Sequence, residues 1–169
     1  MTGKRQINKM MKQIKIDTLF TSIHLSELSE QEQILIKACK EASINAYAPY
    51  SNFHVGASLL IEDGEIILGN NQENAAFPSG LCAERVALFH FGSRNSNKSI
   101  KAIAICAQNS NGKFTDDFIV PCGGCLQVMS EFQMKQKEKI KVLLYRADEE
   151  VMLGVGIENF LPLQFILKK

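Results

Sequence analysis

Helical and extended patterns of apolar residues alternate along most of the chain. The helical patterns cover residues 30–46, 82–91 and 122–134. The strand-like runs cover residues 53–61, 65–69, 101–107, 140–145 and 151–155. A capping box, in which Ser29 precedes Glu32, marks the start of the first helix. Helices that alternate with strands predict an α/β sandwich with helices on both faces of a sheet.

The chain length predicts a single domain. A chain of 169 residues can build one domain with a substantial core and is too short for two of average size. No internal repeat, low-complexity stretch or linker interrupts it. We expect residues 1–25 to hold a basic tail and a possible edge strand, and residues 26–169 to form the domain. The basic residues of the tail are Lys4, Arg5, Lys9, Lys12 and Lys15.

Composition and charge argue against some classes of binding partner. The chain is 46% hydrophobic and 22% charged, with a net charge of +1. This charge predicts no surface for binding nucleic acid. The longest apolar runs are strand-sized, and the N-terminus lacks the apolar block of a signal peptide, so we expect no membrane association. Five cysteines without a secretion signal favour thiolate chemistry in a reducing cytoplasm over disulfides.

Three cysteines have the spacing of a metal site. Cys82, Cys122 and Cys125 can supply three of the four ligands around zinc. Zinc with three protein ligands keeps a fourth position for water, which is the catalytic arrangement. Glu84 follows the first thiol by two positions and can lie near that water without being a ligand. Cys82 also falls near a predicted helix N-terminus, where the helix dipole lowers the pKa of a thiol.

The C-x-x-C pair and Glu84 are each compatible with other interpretations. A C-x-x-C pair alone is also compatible with a redox pair, half of a structural zinc site, or chance. Glu84 alone is a weak signal, because the first turn of a helix favours acids. A redox pair gives the segment around Cys82 no role, so the spacing favours a catalytic zinc. Arg85 would then stabilise the site, because a nearby guanidinium offsets the net negative charge of three thiolates and zinc.

The remaining histidines and cysteines fit a metal site poorly. His24 and His54 lie in strand-like contexts before the first ligand, and His90 is two turns along the helix from Cys82. A structural zinc site would need one of them as a fourth ligand. Cys39 and Cys106 lie inside a helical and a strand pattern, and we interpret both as small buried hydrophobic residues.

Three ordered motifs read NAYAPYSNFHVGA at residues 45–57, NQENAAFPSGLCAER at 71–85 and PCGGCLQV at 121–128. These motifs resemble those of the cytidine deaminases, in particular the short homotetrameric kind. A zinc held by cysteines, a non-ligand Glu and a P-C-x-x-C motif form the signature of the zinc deaminases. The match extends from about Ala46 to Phe165, which is most of the chain.

This resemblance implies a fold, a reaction and a cofactor. The fold is a three-layer α-β-α sandwich with a mixed five-stranded sheet. The reaction is the hydrolytic deamination of cytidine and deoxycytidine to uridine and deoxyuridine, with release of ammonia, in pyrimidine salvage. One zinc per chain is bound by Cys82, Cys122 and Cys125, and Glu84 is the proton shuttle.

The resemblance also implies the substrate contacts and the assembly. Asn71 and Glu73 hold the ribose 3′-hydroxyl. Phe53 stacks near the pyrimidine, and the amide of Ala83 faces the ring carbonyl. Phe165 closes the pocket of a neighbouring subunit, which predicts a homotetramer with composite active sites.

Two positions depart from the family pattern. Phe77 stands where the family often has Tyr, and Leu126 stands where it usually has Arg.

Two other functions remain as alternatives. One is a deaminase that acts on another base, a nucleoside antibiotic or nucleic acid, although the low charge and the absence of Trp argue against nucleic acid. The other is a non-catalytic zinc scaffold, which would have no use for Glu84.

Overall fold

The computed structural model describes residues 12–94 and 97–167. The first eleven residues of the predicted basic tail lie outside the described part. The strands are β1 (Thr21–His24), β2 (Phe53–Ile61), β3 (Ile66–Asn70), β4 (Ile100–Asn109), β5 (Lys141–Tyr145) and β6 (Glu150–Val155). The α-helices are α1 (Glu30–Ile44), α2 (Ala83–Ser93) and α3 (Gly123–Lys135).

The described strands form one mixed sheet of six strands in the order β1-β6-β5-β4-β2-β3. β4 and β5 are parallel, and every other neighbouring pair is antiparallel. The expected count of five strands is therefore wrong by one. The additional strand is β1, which pairs with β6 at the sheet edge, where Thr21 lies opposite Leu153. It belongs to the N-terminal segment for which the sequence indicated a possible edge strand.

The helices cover both faces of the sheet, which confirms the three-layer architecture. Alternate residues of the central strands point to opposite faces, as in any pleated sheet. One face packs against α1, and its buried core includes Leu35, Cys39, Leu60, Ala104 and Cys106. The other face packs against α2 and α3, and its buried core includes Leu59, Ala87, Leu88, Ile103 and Met129.

Two glycines let the helices approach the sheet at backbone distance. A methyl group at Gly56 of β2 would lie 2.1 Å from the carbonyl oxygen of Cys39 in α1. A methyl group at Gly69 of β3 would lie 2.4 Å from the carbonyl oxygen of Ala83 in α2. Real side-chain carbons do not come this close to a carbonyl oxygen, so only glycine fits at either place. The contact at Gly69 sets the position of the α2 N-terminus, where the predicted chemistry lies.

None of the described helices is long and apolar enough to cross a membrane.

We predict that Gly56→Ala destabilises the fold. The added methyl group would push α1 away from β2, and overpacking of this kind costs roughly 1–3 kcal/mol. Gly123→Ala is the matched control, because a methyl group there has no atom within 4 Å. Denaturant unfolding of both variants checks the prediction. Equal stability of the two variants would show that α1 does not need the close approach.

Candidate metal centre and active-site cleft

The N-termini of two helices bring three cysteine thiols together. Cys82 is the N-cap of α2, Cys122 is the N-cap of α3, and Cys125 lies in the first turn of α3. Their sulfur atoms all lie within 4.8 Å of one another, and those of Cys122 and Cys125 are 3.5 Å apart. Elsewhere in residues 12–94 and 97–167, no other group of three or more His, Cys, Asp or Glu side chains comes this close.

This geometry fits zinc. Sulfur ligands on a tetrahedron with zinc–sulfur bonds of about 2.3 Å lie roughly 3.8 Å apart. The 3.5 Å between the sulfur atoms of Cys122 and Cys125, and the limit of 4.8 Å for all three pairs, are close to that value. Thiolates are soft ligands that suit zinc better than magnesium or calcium. Cys122, Cys125 and Cys82 are therefore the residues that would hold the ion, with one tetrahedral position left for another ligand.

The electrostatics of the cluster favour a bound cation. A hydrogen bond from Cys125 and the Arg85 guanidinium lower the pKa of Cys82 to about 5, against the opposing effect of burial. The same hydrogen bond and burial raise the pKa of Cys125. The thiols thus resist ionising together, because like charges at this distance repel. A divalent cation relieves that conflict by replacing the protons.

The two helix N-termini add to the positive potential at the thiols. Neither Cys82 nor Cys122 has a side-chain hydrogen bond to cap its helix. The first N–H groups of a helix lack intrahelical acceptors and carry partial positive charge. Both helices begin at the cluster, so their first turns favour the thiolate form.

Arg85 contributes a full positive charge on the cleft side of the cluster. One terminal nitrogen of its guanidinium lies 3.8 Å from the Cys82 sulfur. Contact with that thiol raises the pKa of Arg85. Among the described residues, the Nε of Arg85 is the one buried side-chain nitrogen or oxygen without a hydrogen-bond partner. The guanidinium therefore faces the thiols while keeping one donor unused.

Glu84 is almost fully buried beside the thiols. It is the second residue of α2, and only 4% of it is exposed. Burial raises the pKa of its carboxyl group, and the negative charge of Cys82 raises it further. A carboxyl group with a raised pKa at a metal site is suited to proton transfer near neutral pH.

A cleft of about 490 Å³ opens next to the cluster. Four of the predicted site residues line it: Asn71, Glu73, Cys82 and Arg85. Tyr50, Ser51 and Phe77 also line it. The structure therefore brings the predicted sugar-binding residues to the same cleft as one metal-site thiol.

Asn71 and Glu73 are held in place by the backbone around the start of β2. The Asn71 side chain accepts a hydrogen bond from the Val55 amide (2.8 Å) and donates one to the Phe53 carbonyl (2.9 Å). The Glu73 carboxylate accepts hydrogen bonds from the Ser51 hydroxyl and the Tyr50 amide. The Ser51 hydrogen bond, followed by that from the Tyr50 amide, lowers the pKa of Glu73.

Sequence reasoning did not identify Tyr50 and Ser51 as functional. Both lie in the first motif, but no local spacing connects them with Glu73, which follows more than twenty residues later. Their contacts with Glu73 arise from the tertiary fold. The polar turn that ends α1 was the only local signal for them.

The other predicted substrate residues, Phe53, Ala83 and Phe165, are not among the residues that line the cleft. Phe53 is partly exposed at the first position of β2, and Ala83 is buried between Cys82 and Glu84. Phe165 lies away from the cleft of its own chain and is 71% exposed. Its carbonyl oxygen accepts a hydrogen bond from the Gln127 side chain (2.9 Å).

The two departures from the family pattern lie in different environments. Phe77 is largely exposed at the rim of the cleft, with its ring centroid 6.0 Å from that of Tyr50 in an edge-on arrangement. Leu126 is buried and packs in the core beneath α3. An apolar side chain therefore fills that position, and Arg85 is the guanidinium that contacts the thiols.

Comparison with known proteins identifies the family of this site. Residues 29–138 match a family model described as the cytidine and deoxycytidylate deaminase zinc-binding region. The chain is similar to the cytidine deaminase of Halalkalibacterium halodurans, with 44% identity over 122 residues that cover 72% of this chain and 78% of that protein. It is also similar to the cytidine deaminase of Sporosarcina psychrophila, with 46% identity over 98 residues that cover 58% of this chain and 67% of that protein.

A solved crystal structure of a cytidine deaminase has a similar fold. The crystal structure of the cytidine deaminase from Burkholderia pseudomallei has a TM-score of 0.68 and 38% identity, and the match covers 79% of this chain and 98% of that chain. The fold prediction is thereby confirmed apart from the strand count. The zinc-binding description of the family and the three-cysteine cluster together confirm the predicted zinc cofactor.

We predict that Cys122→Ala loses zinc and unfolds more readily, because metal-binding energy adds to the free energy of folding. Wild-type protein should contain about one zinc per chain, since three thiols can complete one tetrahedral site. Cys106→Ala is the matched control, as it removes a cysteine outside the cluster and should keep zinc. Metal analysis after dialysis checks both. Full zinc occupancy in Cys122→Ala would contradict the ligand assignment.

Proposed function

Because the chain belongs to the cytidine and deoxycytidylate deaminase family, we propose that it is a zinc-dependent enzyme of pyrimidine salvage. It hydrolyses the exocyclic C–N bond of cytidine and deoxycytidine, forming uridine or deoxyuridine and ammonia. One observation carries this proposal. A buried carboxyl group with a raised pKa, Glu84, interacts with the thiols of Cys82 and Cys125, beside the cleft that Asn71 and Glu73 line.

Glu84 performs the proton transfers. Zinc held by three protein ligands supplies a Lewis acid that activates water for attack at C4 of the pyrimidine. Glu84 accepts the proton that this water loses and delivers it to N3, which lets the ring accept the incoming electron pair. Glu84 then takes the proton of the hydroxyl group that is now bound to C4 and passes it to the exocyclic nitrogen. The C4–N bond breaks, ammonia leaves and the C4 carbonyl forms. The raised pKa of Glu84 suits both directions of transfer.

Arg85 and the helix N-termini hold the charge of the three thiolates. Arg85 contacts Cys82 and does not reach the reacting atoms in our proposal, so it acts as a positioning residue.

The buried position of Glu84 also weighs against a non-catalytic zinc scaffold. A scaffold gains nothing from a desolvated carboxyl group, whose burial costs free energy.

Asn71 and Glu73 bind the sugar. Glu73 stays ionised because its pKa is lowered, so it can accept a hydrogen bond from the 3′-hydroxyl. Asn71 has one amide proton and one oxygen lone pair beyond those that bind β2. Both side chains are oriented before substrate arrives, which reduces the entropy lost on binding.

The base is held by Phe53 and by the backbone of Ala83. Ala83 is the first residue of α2, so its N–H has no acceptor within the helix and is available to the ring carbonyl. Phe53 offers an aromatic ring at the partly exposed start of β2, where it stacks near the pyrimidine.

The active enzyme is a homotetramer with composite sites in the cytoplasm. Apolar residues of the C-terminal segment are exposed in the single chain, among them Leu163, Phe165 and Leu167. We propose that these residues are buried against a neighbouring subunit and that Phe165 closes the cleft of that subunit, as the resemblance to the family implies. Five free cysteines suit a reducing compartment.

Glu84→Gln separates catalysis from metal binding. The amide keeps the shape of the side chain but cannot carry the proton, so the deamination rate should fall by at least the ~10²–10⁴-fold typical of a general acid–base group. Zinc content should not change. Glu62→Gln, which alters an exposed acid outside the cleft, should keep the wild-type rate. A Glu84→Gln enzyme that deaminates cytidine at nearly the wild-type rate would exclude the proposed mechanism.

Phe165→Ala tests the composite site. We expect the KM for cytidine to rise by about twofold to tenfold, because aromatic contacts contribute roughly 0.5–1.5 kcal/mol beyond area burial. Ile14→Ala removes a comparably exposed apolar side chain outside the C-terminal segment and serves as the control. Removal of residues 163–169 should weaken the tetramer while zinc content stays intact. Light scattering with steady-state kinetics decides the matter, and a wild-type monomer with full activity would exclude the shared pocket.

A further inference from the structure

The two cysteines outside the zinc site form a contact pair of their own. Cys39 in α1 and Cys106 in β4 are both fully buried, and their sulfur atoms are 3.3 Å apart. They lie in the core on the α1 face of the sheet, whereas Cys125 lies in the core on the opposite face. The proposed reaction uses neither of them.

Gly56 is the reason for this contact. It lies directly opposite Cys106 in the antiparallel pairing of β2 with β4. The absence of a side chain at Gly56 lets α1 come down onto the sheet, and the Cys39 thiol contacts the Gly56 carbonyl oxygen at 3.2 Å. The close approach therefore brings a helix thiol beside a strand thiol. A disulfide requires two sulfur atoms that can come within bonding distance, and those of Cys39 and Cys106 are already 3.3 Å apart.

We propose that Cys39 and Cys106 are a disulfide-forming site that responds to a small oxidant such as hydrogen peroxide. One thiol reacts with peroxide to give a sulfenic acid and water. The second sulfur then displaces the hydroxyl group as a second water molecule, and the S–S bond forms. Two thiols lose two protons and two electrons in total, and one peroxide is reduced to two waters.

The environment of the pair makes the reaction slow but specific. Burial raises the pKa of Cys39, so the reactive thiolate is scarce while the core is closed. Oxidation therefore proceeds through local opening of α1, which a small oxidant can exploit. Once the first sulfenic acid forms, the neighbouring thiol traps it before further oxidation.

The cross-link would tie α1 to the centre of the sheet. It closes a loop that contains β2, β3 and α2, and with them Cys82 and Glu84. A disulfide across a loop of this length restricts the unfolded chain strongly. We expect the oxidised protein to melt at a higher temperature, by on the order of 10 °C.

Oxidation of the zinc-loaded protein with hydrogen peroxide tests the proposal. After treatment, free thiols are alkylated under denaturing conditions and the protein is digested for mass spectrometry. We expect a linked peptide that joins Cys39 to Cys106, with a mass two hydrogens below the sum of the two peptides. The Tm should rise on oxidation and return to its starting value with a thiol reductant.

Two control variants separate this pair from the zinc ligands. Cys39→Ala and Cys106→Ala should both keep zinc and show no reductant-reversible rise in Tm. Any oxidation at Cys82, Cys122 or Cys125 should occur equally in the variants and the wild type. The peptide map of the wild type decides the question even if a variant folds poorly. Full alkylation of Cys39 and Cys106 after oxidation, or linkage of either to a zinc ligand, would overturn the proposal.

Discussion

The structure depends on the compensation of negative charge where three cysteine sulfurs meet within 4.8 Å. Three thiolates so close repel one another, and only positive charge makes the arrangement stable. Two helix N-termini and the Arg85 guanidinium supply part of it, and a bound zinc would supply the rest. The sheet helps to position these charges, because the close approach of α2 to Gly69 fixes the N-terminus of α2 next to β3.

The same constraint prepares the site for chemistry. Glu84 is buried because it lies next to the first thiol at the start of α2, and its pKa is raised by that burial and by the charge of Cys82. The negative charge of Cys82 therefore also raises the pKa of the residue that we propose as the proton carrier. Glu73 is affected in the opposite sense, because hydrogen bonds to its carboxylate lower its pKa. Two acids near one cleft are thereby suited to different tasks, proton transfer and hydrogen-bond acceptance.

The sequence predicted what depends on local spacing. The bounds of β2 agree with the predicted strand at residues 53–61, and Cys82 and Cys122 each start a helix as their motifs indicated. β1 was not counted, because a four-residue edge strand with little burial carries a weak pattern. The contact of Cys39 with Cys106 depends on the register of β2 against β4 and on the position of α1, which no local pattern specifies. The support of Glu73 by Ser51 escaped prediction for the same reason.

We propose that this cleft deaminates a pyrimidine nucleoside and recognises its sugar. Ammonia release by the purified, zinc-loaded protein, measured with cytidine, deoxycytidine and free cytosine, tests it most directly. We expect both nucleosides to react, and free cytosine to have an efficiency lower by roughly 10²-fold or more, because Asn71 and Glu73 would be left without their hydroxyl partner. Absence of ammonia from both nucleosides, or equal efficiency on free cytosine, would contradict the account.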